Sequence, residues 1–101
     1  MTQALSWERQ AQRLVLRGHL DRDSLLPLWQ QRQALLEGIE VIDVAALERV
    51  DSAGLALLVH LREQGAKAQR APHFSGISDK LDSLITLYNL QQFIVSADKT
   101  A

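Results

Sequence analysis

The spacing of apolar and polar positions changes several times along the chain, and each change marks an element. Leu14, Leu16 and Gly18 alternate with Val15 and Arg17 in a β-prone run, and Leu5-Ser6-Trp7 offers a partner strand across Glu8 to Gln12. These two segments predict an opening hairpin. Leu25, Leu28, Trp29, Arg32 and Leu36 then fall at helical spacing, with Arg32 the only polar member of the stripe. Proline is tolerated in the first helical turn, where a backbone N–H has no helical acceptor, so Ser24 as N-cap puts Pro27 at the third helical position. Gly38 closes this first helix.

Ile39 to Val44 carries apolar residues on both faces and reads as a central, buried strand, with Leu47 and Val50 in the connection that follows. A second helix is expected from about Ala53 to Gly65. His73 to Ile77 reads as a weaker strand after Pro72. Ser78 or Asp79 caps a third helix whose face carries Leu81, Leu84, Ile85 and Tyr88. Phe93-Ile94-Val95 is a last short strand candidate, and residues 96–101 read as a frayed tail. The order β-β-α-β-α-β-α-β predicts an α/β protein, with a mixed sheet covered by helices and the whole chain, 1–101, forming one domain.

The second helix is more apolar than a sheet-covering helix needs. At about 100° per residue, Leu57, Leu61, Leu58, Leu55 and Val59 spread over roughly 200°, whereas a packing stripe needs about 100°. The excess has two readings, burial against neighbouring helices or exposure to a partner. Ser52 projects near Leu55 and Val59 at one edge of this arc, which makes that edge the candidate docking rim, while His60, Glu63 and Gln64 form the polar flank.

Ser52 itself has two readings. A serine hydroxyl is a favoured N-cap that satisfies a free N–H of the first turn, and Asp51 can do the same. A hydroxyl at a helix N-terminus is also a place where a phosphate is stabilised by the helix dipole, or repels a partner.

Composition narrows the function classes. Apolar residues make up 47% and charged residues 23%, the mixture of a folded globular chain. Eleven Lys and Arg against twelve Asp and Glu give a net charge of −1 without a basic cluster, which argues against nucleic acid as a partner. Cysteine is absent, so disulfides, thiolate nucleophiles and cysteine-ligated metals are excluded. No stretch approaches the roughly 20 apolar residues of a membrane span, and the N-terminus has no cationic start or apolar core of a leader, so a cytoplasmic protein is expected. His19, His60 and His73 lack metal-ligand spacing, and no glycine-rich phosphate loop is present, so no cofactor and no catalysis are expected. Asp43, a charge within an apolar strand, reads as a satisfied polar contact.

Gly18-His19-Leu20-Asp21, Ile42-Asp43-Val44 and Val50-Asp51-Ser52-Ala53-Gly54-Leu55 together resemble the STAS domain of anti-sigma factor antagonists and sulfate transporters, over essentially the whole chain. The resemblance implies a STAS-like fold of about four to five strands and three to four helices. Leu5-Ser6-Trp7, the segment from Asp23 to Trp29, Gly54 to Leu58 and Leu87-Tyr88-Asn89-Leu90 are similar to the small STAS subunits of phospholipid ABC transporters of Gram-negative bacteria. That similarity implies a non-catalytic cytoplasmic subunit that binds the ATPase MlaF beneath the permease MlaE, in a complex with substrate-binding MlaD, and maintains outer-membrane lipid asymmetry.

Carried over residue by residue, the family's contact or phosphorylatable hydroxyl falls on Ser52, and its loop on Asp51, Ala53 and Gly54. Asp21, Arg22 and Asp23 are expected to flank the same surface, or else to make local turn and capping hydrogen bonds. Trp29 is a candidate for core or rim. Two further readings stay open: an anti-sigma factor antagonist switched by phosphorylation of Ser52, and a small domain holding an apolar ligand, for which no polar group is evidently placed to fix a headgroup.

Overall fold

The computed structural model describes residues 5–67, 72–91 and 94. The hairpin is present: β1 (Ser6–Gln10) and β2 (Arg13–Leu20) pair antiparallel, with Ala11 at φ 55° in the tight turn between them. β3 (Val41–Val50) lies parallel to β2, and β4 (His73–Ser75) lies parallel to β3, giving a mixed sheet in the order β1-β2-β3-β4. Leu14, Leu16 and Leu20, Ile42 and Val44, and Phe74 belong to one buried cluster. The buried leucines and isoleucine of the helices α1 (Leu26–Gln30), α2 (Arg32–Leu36), α3 (Ser52–Lys67) and α4 (Asp79–Leu87) join that same cluster, so the helices share one face of the sheet. The described residues therefore hold four strands and four helices in an α/β arrangement.

β3 is central, as its apolar character predicts, but only one of its faces is core. Ile42 and Val44 are buried, whereas Val41 and Asp43 are half-buried. Asp43 points with Arg13 to the other face, where its Oδ2 accepts from the Arg13 guanidinium at 3.0 Å and its Oδ1 accepts from the Ala45 N–H at 3.0 Å. The odd charge of the strand is thus a satisfied polar contact.

β3 also runs six residues past its expected end, so Leu47 and Val50 lie within the strand rather than in a connection. The reason is visible in the pairing with β2. Register shifts between Val15 and Arg17 and between Gly18 and His19 each place one extra residue in β3, so its alternation breaks at Ala45-Ala46 and again at Glu48. Such bulges conceal a strand from any test of period two.

The first helix is two short helices. It breaks at Gln31, whose φ of −101° and ψ of 7° depart from the helix. Ser24 is not its N-cap: Leu25 occupies that position, and Pro27 falls second in α1 rather than third. The Ser24 hydroxyl is engaged elsewhere, donating to the His19 carbonyl at 2.7 Å and accepting the Asp21 N–H at 3.0 Å. Gly38 follows α2 with φ +76°, a left-handed conformation that ends the helical run.

α3 begins one residue earlier than predicted and ends two residues later. Ser78 caps α4, its Oγ accepting the Leu81 N–H at 3.1 Å. Leu81 and Ile85 are buried and Leu84 is half-buried, but Tyr88 is 49% exposed, because it sits at the helix C-cap where the stripe has rotated off the core. Of the proposed last strand, Phe93 and Val95 lie outside the described residues, as does the tail 96–101; Ile94 is a buried bend.

Phe74 is completely buried and anchors the three-residue β4 to the core. Phe74→Ala is expected to lower unfolding free energy by about 3–5 kcal/mol, read from a urea titration; an unchanged midpoint would contradict this packing.

Candidate functional site

β2 and β3 end side by side, with Leu20 opposite Val50, and a single residue, Asp51, separates β3 from α3. With so short a connection, the first turn of α3 must rest directly on the strand ends. The Asp51 N–H donates to the Leu20 carbonyl at 3.3 Å, and the Asp51 carbonyl accepts the Leu55 N–H at 2.9 Å. Its carboxylate works on both sides. Oδ1 accepts the Gly54 N–H at 2.8 Å, the geometry of an N-cap, and Oδ2 accepts the Arg22 N–H at 3.2 Å from the neighbouring loop. Of the two caps the sequence offers, Asp51 is therefore the one the helix uses, and Ser52 is not. Aspartate next to an exposed helix start favours this arrangement because its charge also meets the positive end of the helix dipole.

Gly54 makes the close approach feasible. A Cβ at this position would lie 2.1 Å from the Leu20 carbonyl oxygen and 3.1 Å from Leu20 Cγ. Only a residue without a side chain fits where the helix crosses the end of β2.

With the cap supplied by Asp51, Ser52 becomes the first helical residue. Its side chain is exposed and makes no hydrogen bond among the described residues. Ala53 and Val59 are half-buried, and Ala56 and His60 are exposed. Ser52, Ala56, Val59 and His60 recur at three- and four-residue spacing, so they form one outward strip along α3. Leu55 does not belong to it. At 1% exposure it is core, because the first turn is pressed onto the strand ends.

Leu57, Leu58 and Leu61 are buried too. Both α2 and α4 pack against α3, and their presence accounts for the wide apolar arc.

The preceding loop is built by its own turn chemistry. Asp21 Oδ1 accepts the N–H groups of Asp23 and Ser24, both at 3.0 Å, and its carbonyl accepts the Leu25 N–H at 3.0 Å. The structure thus brings Asp21 and Arg22 beside Asp51 through the Arg22 bond, whereas Asp23 is exposed and bonds back only to Asp21. Three carboxylates, Asp21, Asp23 and Asp51, lie in these two adjoining loops with Arg22 as the one cation among them. A phosphate on Ser52 would add charge to a helix terminus where a carboxylate already sits.

A cluster beside the strip was partly legible in the sequence. The Arg32 guanidinium lies 3.7 Å from the centroid of the Trp29 ring and donates to the Trp29 carbonyl at 2.8 Å. That carbonyl sits next to the break at Gln31, so the arginine supplies a donor where the helix interrupts. From α3, His60 meets the same indole edge-on at 5.5 Å. Trp29 is half-buried and packs partly against the core. An arginine three residues after a tryptophan in an otherwise apolar stripe was the available signal; the partnership with His60 had none.

Among the described residues, no group of three or more His, Cys, Asp or Glu side chains is placed to hold a metal. Among them also, no helix is long and apolar enough to cross a membrane.

Two substitutions test the seam. Asp51→Ala is expected to lower stability by about 0.5–2 kcal/mol through loss of the cap. Gly54→Ala is expected to lower it by about 1–3 kcal/mol or more, since the added methyl meets backbone. Urea unfolding reads both, and a neutral Gly54→Ala would show that the seam is looser than drawn.

The family model for the MlaB-type STAS domain matches residues 3–96. The chain is 43% identical over 90 residues to the intermembrane phospholipid transport system binding protein MlaB of Escherichia coli K12, covering 89% of this chain and 93% of that protein. It is 29% identical over 102 residues to the protein of the same name from Haemophilus influenzae, covering 91% and 97%. Among solved structures, the Bacillus cell fate determinant SpoIIAA in its phosphorylated form superposes with a TM-score of 0.65 at 16% identity, covering 95% of this chain and 93% of that one. The unphosphorylated anti-sigma factor antagonist SpoIIAA gives the same score at 18% identity, covering 96% and 90%. At these identities the SpoIIAA likeness speaks for the fold. The match across nearly the whole chain, on a mixed sheet whose second and third strands converge at a capped, glycine-dependent helix start, places this chain in the MlaB family of STAS domains.

Proposed function

We propose that the chain, acting as one STAS domain over residues 1–101, is a non-catalytic accessory subunit of an intermembrane phospholipid transport system and docks on the system's ATPase, MlaF, through the outward strip of α3. The observation that carries this reading is the exposed edge of Ser52 and Ala56, with Val59 and His60 further along, on a helix start held rigidly by Asp51 and Gly54. Small side chains at positions 52, 53 and 56 leave a flat surface that a partner can approach closely. Trp29, stacked with Arg32 and touching His60, provides an aromatic anchor of the kind that dominates interface energetics.

In this reading Asp21, Arg22, Asp23 and Asp51 form a charged rim, while Gly54 and Leu55 support the strip from beneath. The subunit sits on the cytoplasmic side of the inner membrane through its complex with MlaF, MlaE and MlaD. There it supports assembly and ATPase activity, and so the maintenance of outer-membrane lipid asymmetry. The relatives' names support the transport role over the antagonist role, for which the likeness to SpoIIAA offers fold alone.

Ser52→Glu places a longer, charged side chain at an exposed first-turn position. It is expected to leave the urea midpoint of the isolated chain unchanged and to weaken binding to the purified ATPase at least tenfold, about 1.4 kcal/mol. Unchanged affinity in a direct binding assay would remove Ser52 from the interface.

A further inference from the structure

Away from the docking strip, an open groove of about 660 Å³ runs between the last residues of β3 and one face of α4. Its size falls in the range of small-molecule sites. Its place is also informative, since ligands of open α/β sheets settle outside the carboxyl ends of parallel strands. His19 and residues 47–50 stand at those ends of β2 and β3.

The lining is divided by chemistry. Leu47, Leu84 and Leu87 give it an apolar side, and Leu87 is 73% exposed. His19, Arg49 and Lys80 line it as well, against Glu48 as the single acid. His19 and Arg49 are direct neighbours across the two parallel strands. Among the described residues neither Arg49 nor Lys80 forms an ion pair, although Arg13, Arg17 and Arg62 all do. Among the described residues, two cations without an ion pair and an imidazole thus stand beside one exposed leucine, Leu87, and two half-buried ones, Leu47 and Leu84, giving a surface with an unmatched positive end and a partly exposed apolar end.

We propose that this groove binds a single-chain anionic amphiphile, its carboxylate or phosphate head against Arg49 and Lys80 with His19 beside them, and its chain along Leu47, Leu84 and Leu87. Charge complementarity selects the head, and burial of the leucine side chains selects the tail. A bare anion leaves the leucines in water, and an uncharged alkyl chain leaves the cations unmatched. The docking reading does not enter this inference, since none of the groove's residues belongs to the strip that begins at Ser52.

The test is a titration of the isotope-labelled full chain with decanoate below its micelle concentration, followed by amide chemical shifts, with decanol and inorganic phosphate as single-feature probes. Saturable shifts confined to His19 and residues 47–50 and 78–87, with decanoate at least tenfold tighter than either control, are expected. The double substitution Arg49→Glu and Lys80→Glu changes two exposed side chains, and circular dichroism checks that the chain still folds. It is expected to weaken decanoate at least tenfold. Several results would overturn the proposal: no saturable shift, equal affinity for decanol, equal affinity for phosphate, or shifts centred on residues 52–60. Binding of an acidic amphipathic peptide at this groove when decanoate does not bind would also overturn it, in favour of a protein partner. No ATPase enters the experiment, so its failure leaves the docking reading standing.

Discussion

The close contact between the end of β2 and the start of α3 sets the geometry of everything around it. Leu20 ends a strand with its carbonyl turned toward the helix, and Gly54 has no side chain to hold that carbonyl away. Asp51 then bonds the Leu20 carbonyl through its N–H, the Gly54 N–H through one carboxylate oxygen and the Arg22 N–H through the other. One residue thus joins a strand end, a helix start and a second loop. The free N–H groups of a helix start usually find a local acceptor; here the acceptor also fixes the helix to the sheet. Ser52 is left pointing outward from a rigid base, a suitable arrangement for recognition by contact.

That arrangement explains why an unusually apolar helix does not present an unusually apolar surface. Leu55, Leu57, Leu58 and Leu61 face the sheet and the neighbouring helices, and the outward strip is made of the small Ser52 and Ala56, the half-buried Val59 and the polar His60. Shape therefore has a larger part in the proposed docking than hydrophobicity. Typical non-obligate interfaces are no more apolar overall than the remaining surface, and a few anchors dominate their energetics. Trp29, fixed between Arg32 and His60, has the character of such an anchor.

Much of this was legible in the sequence, for physical reasons that differ from element to element. The hairpin, the mixed α/β order and a cap for α4 at Ser78 or Asp79 follow from periodicity and turn chemistry, and the structure has the hairpin, the mixed sheet and the cap at Ser78. The length of β3 was hidden because its two bulges break the alternation that reveals a strand. The break at Gln31 has no glycine or proline to announce it, and the Arg32 side chain compensates it from three residues after Trp29. At the site, the motif located the right loop but left the cap open between Asp51 and Ser52. Aspartate and serine are both good caps, and sequence cannot choose between neighbours when tertiary contacts, here with Leu20 and Arg22, make the choice. A helical wheel placed Leu55 at the rim because it cannot register how closely the first turn is pressed to the sheet. The groove beside α4 could not be read at all, since it joins His19, the bulged end of β3 and a helix some thirty residues later.

The central claim is that the Ser52 edge of α3 faces the transporter's ATPase in the working assembly. The most direct measurement replaces Ala56, exposed in the middle of that edge, with a photoreactive amino acid and identifies what it crosslinks to in native membranes. The account predicts a covalent adduct with an ABC ATPase, and none of comparable yield from the same probe placed at Gln10 on the far edge of the sheet. An adduct from position 56 to an anti-sigma factor kinase, or an ATPase adduct formed equally from Gln10, would contradict it.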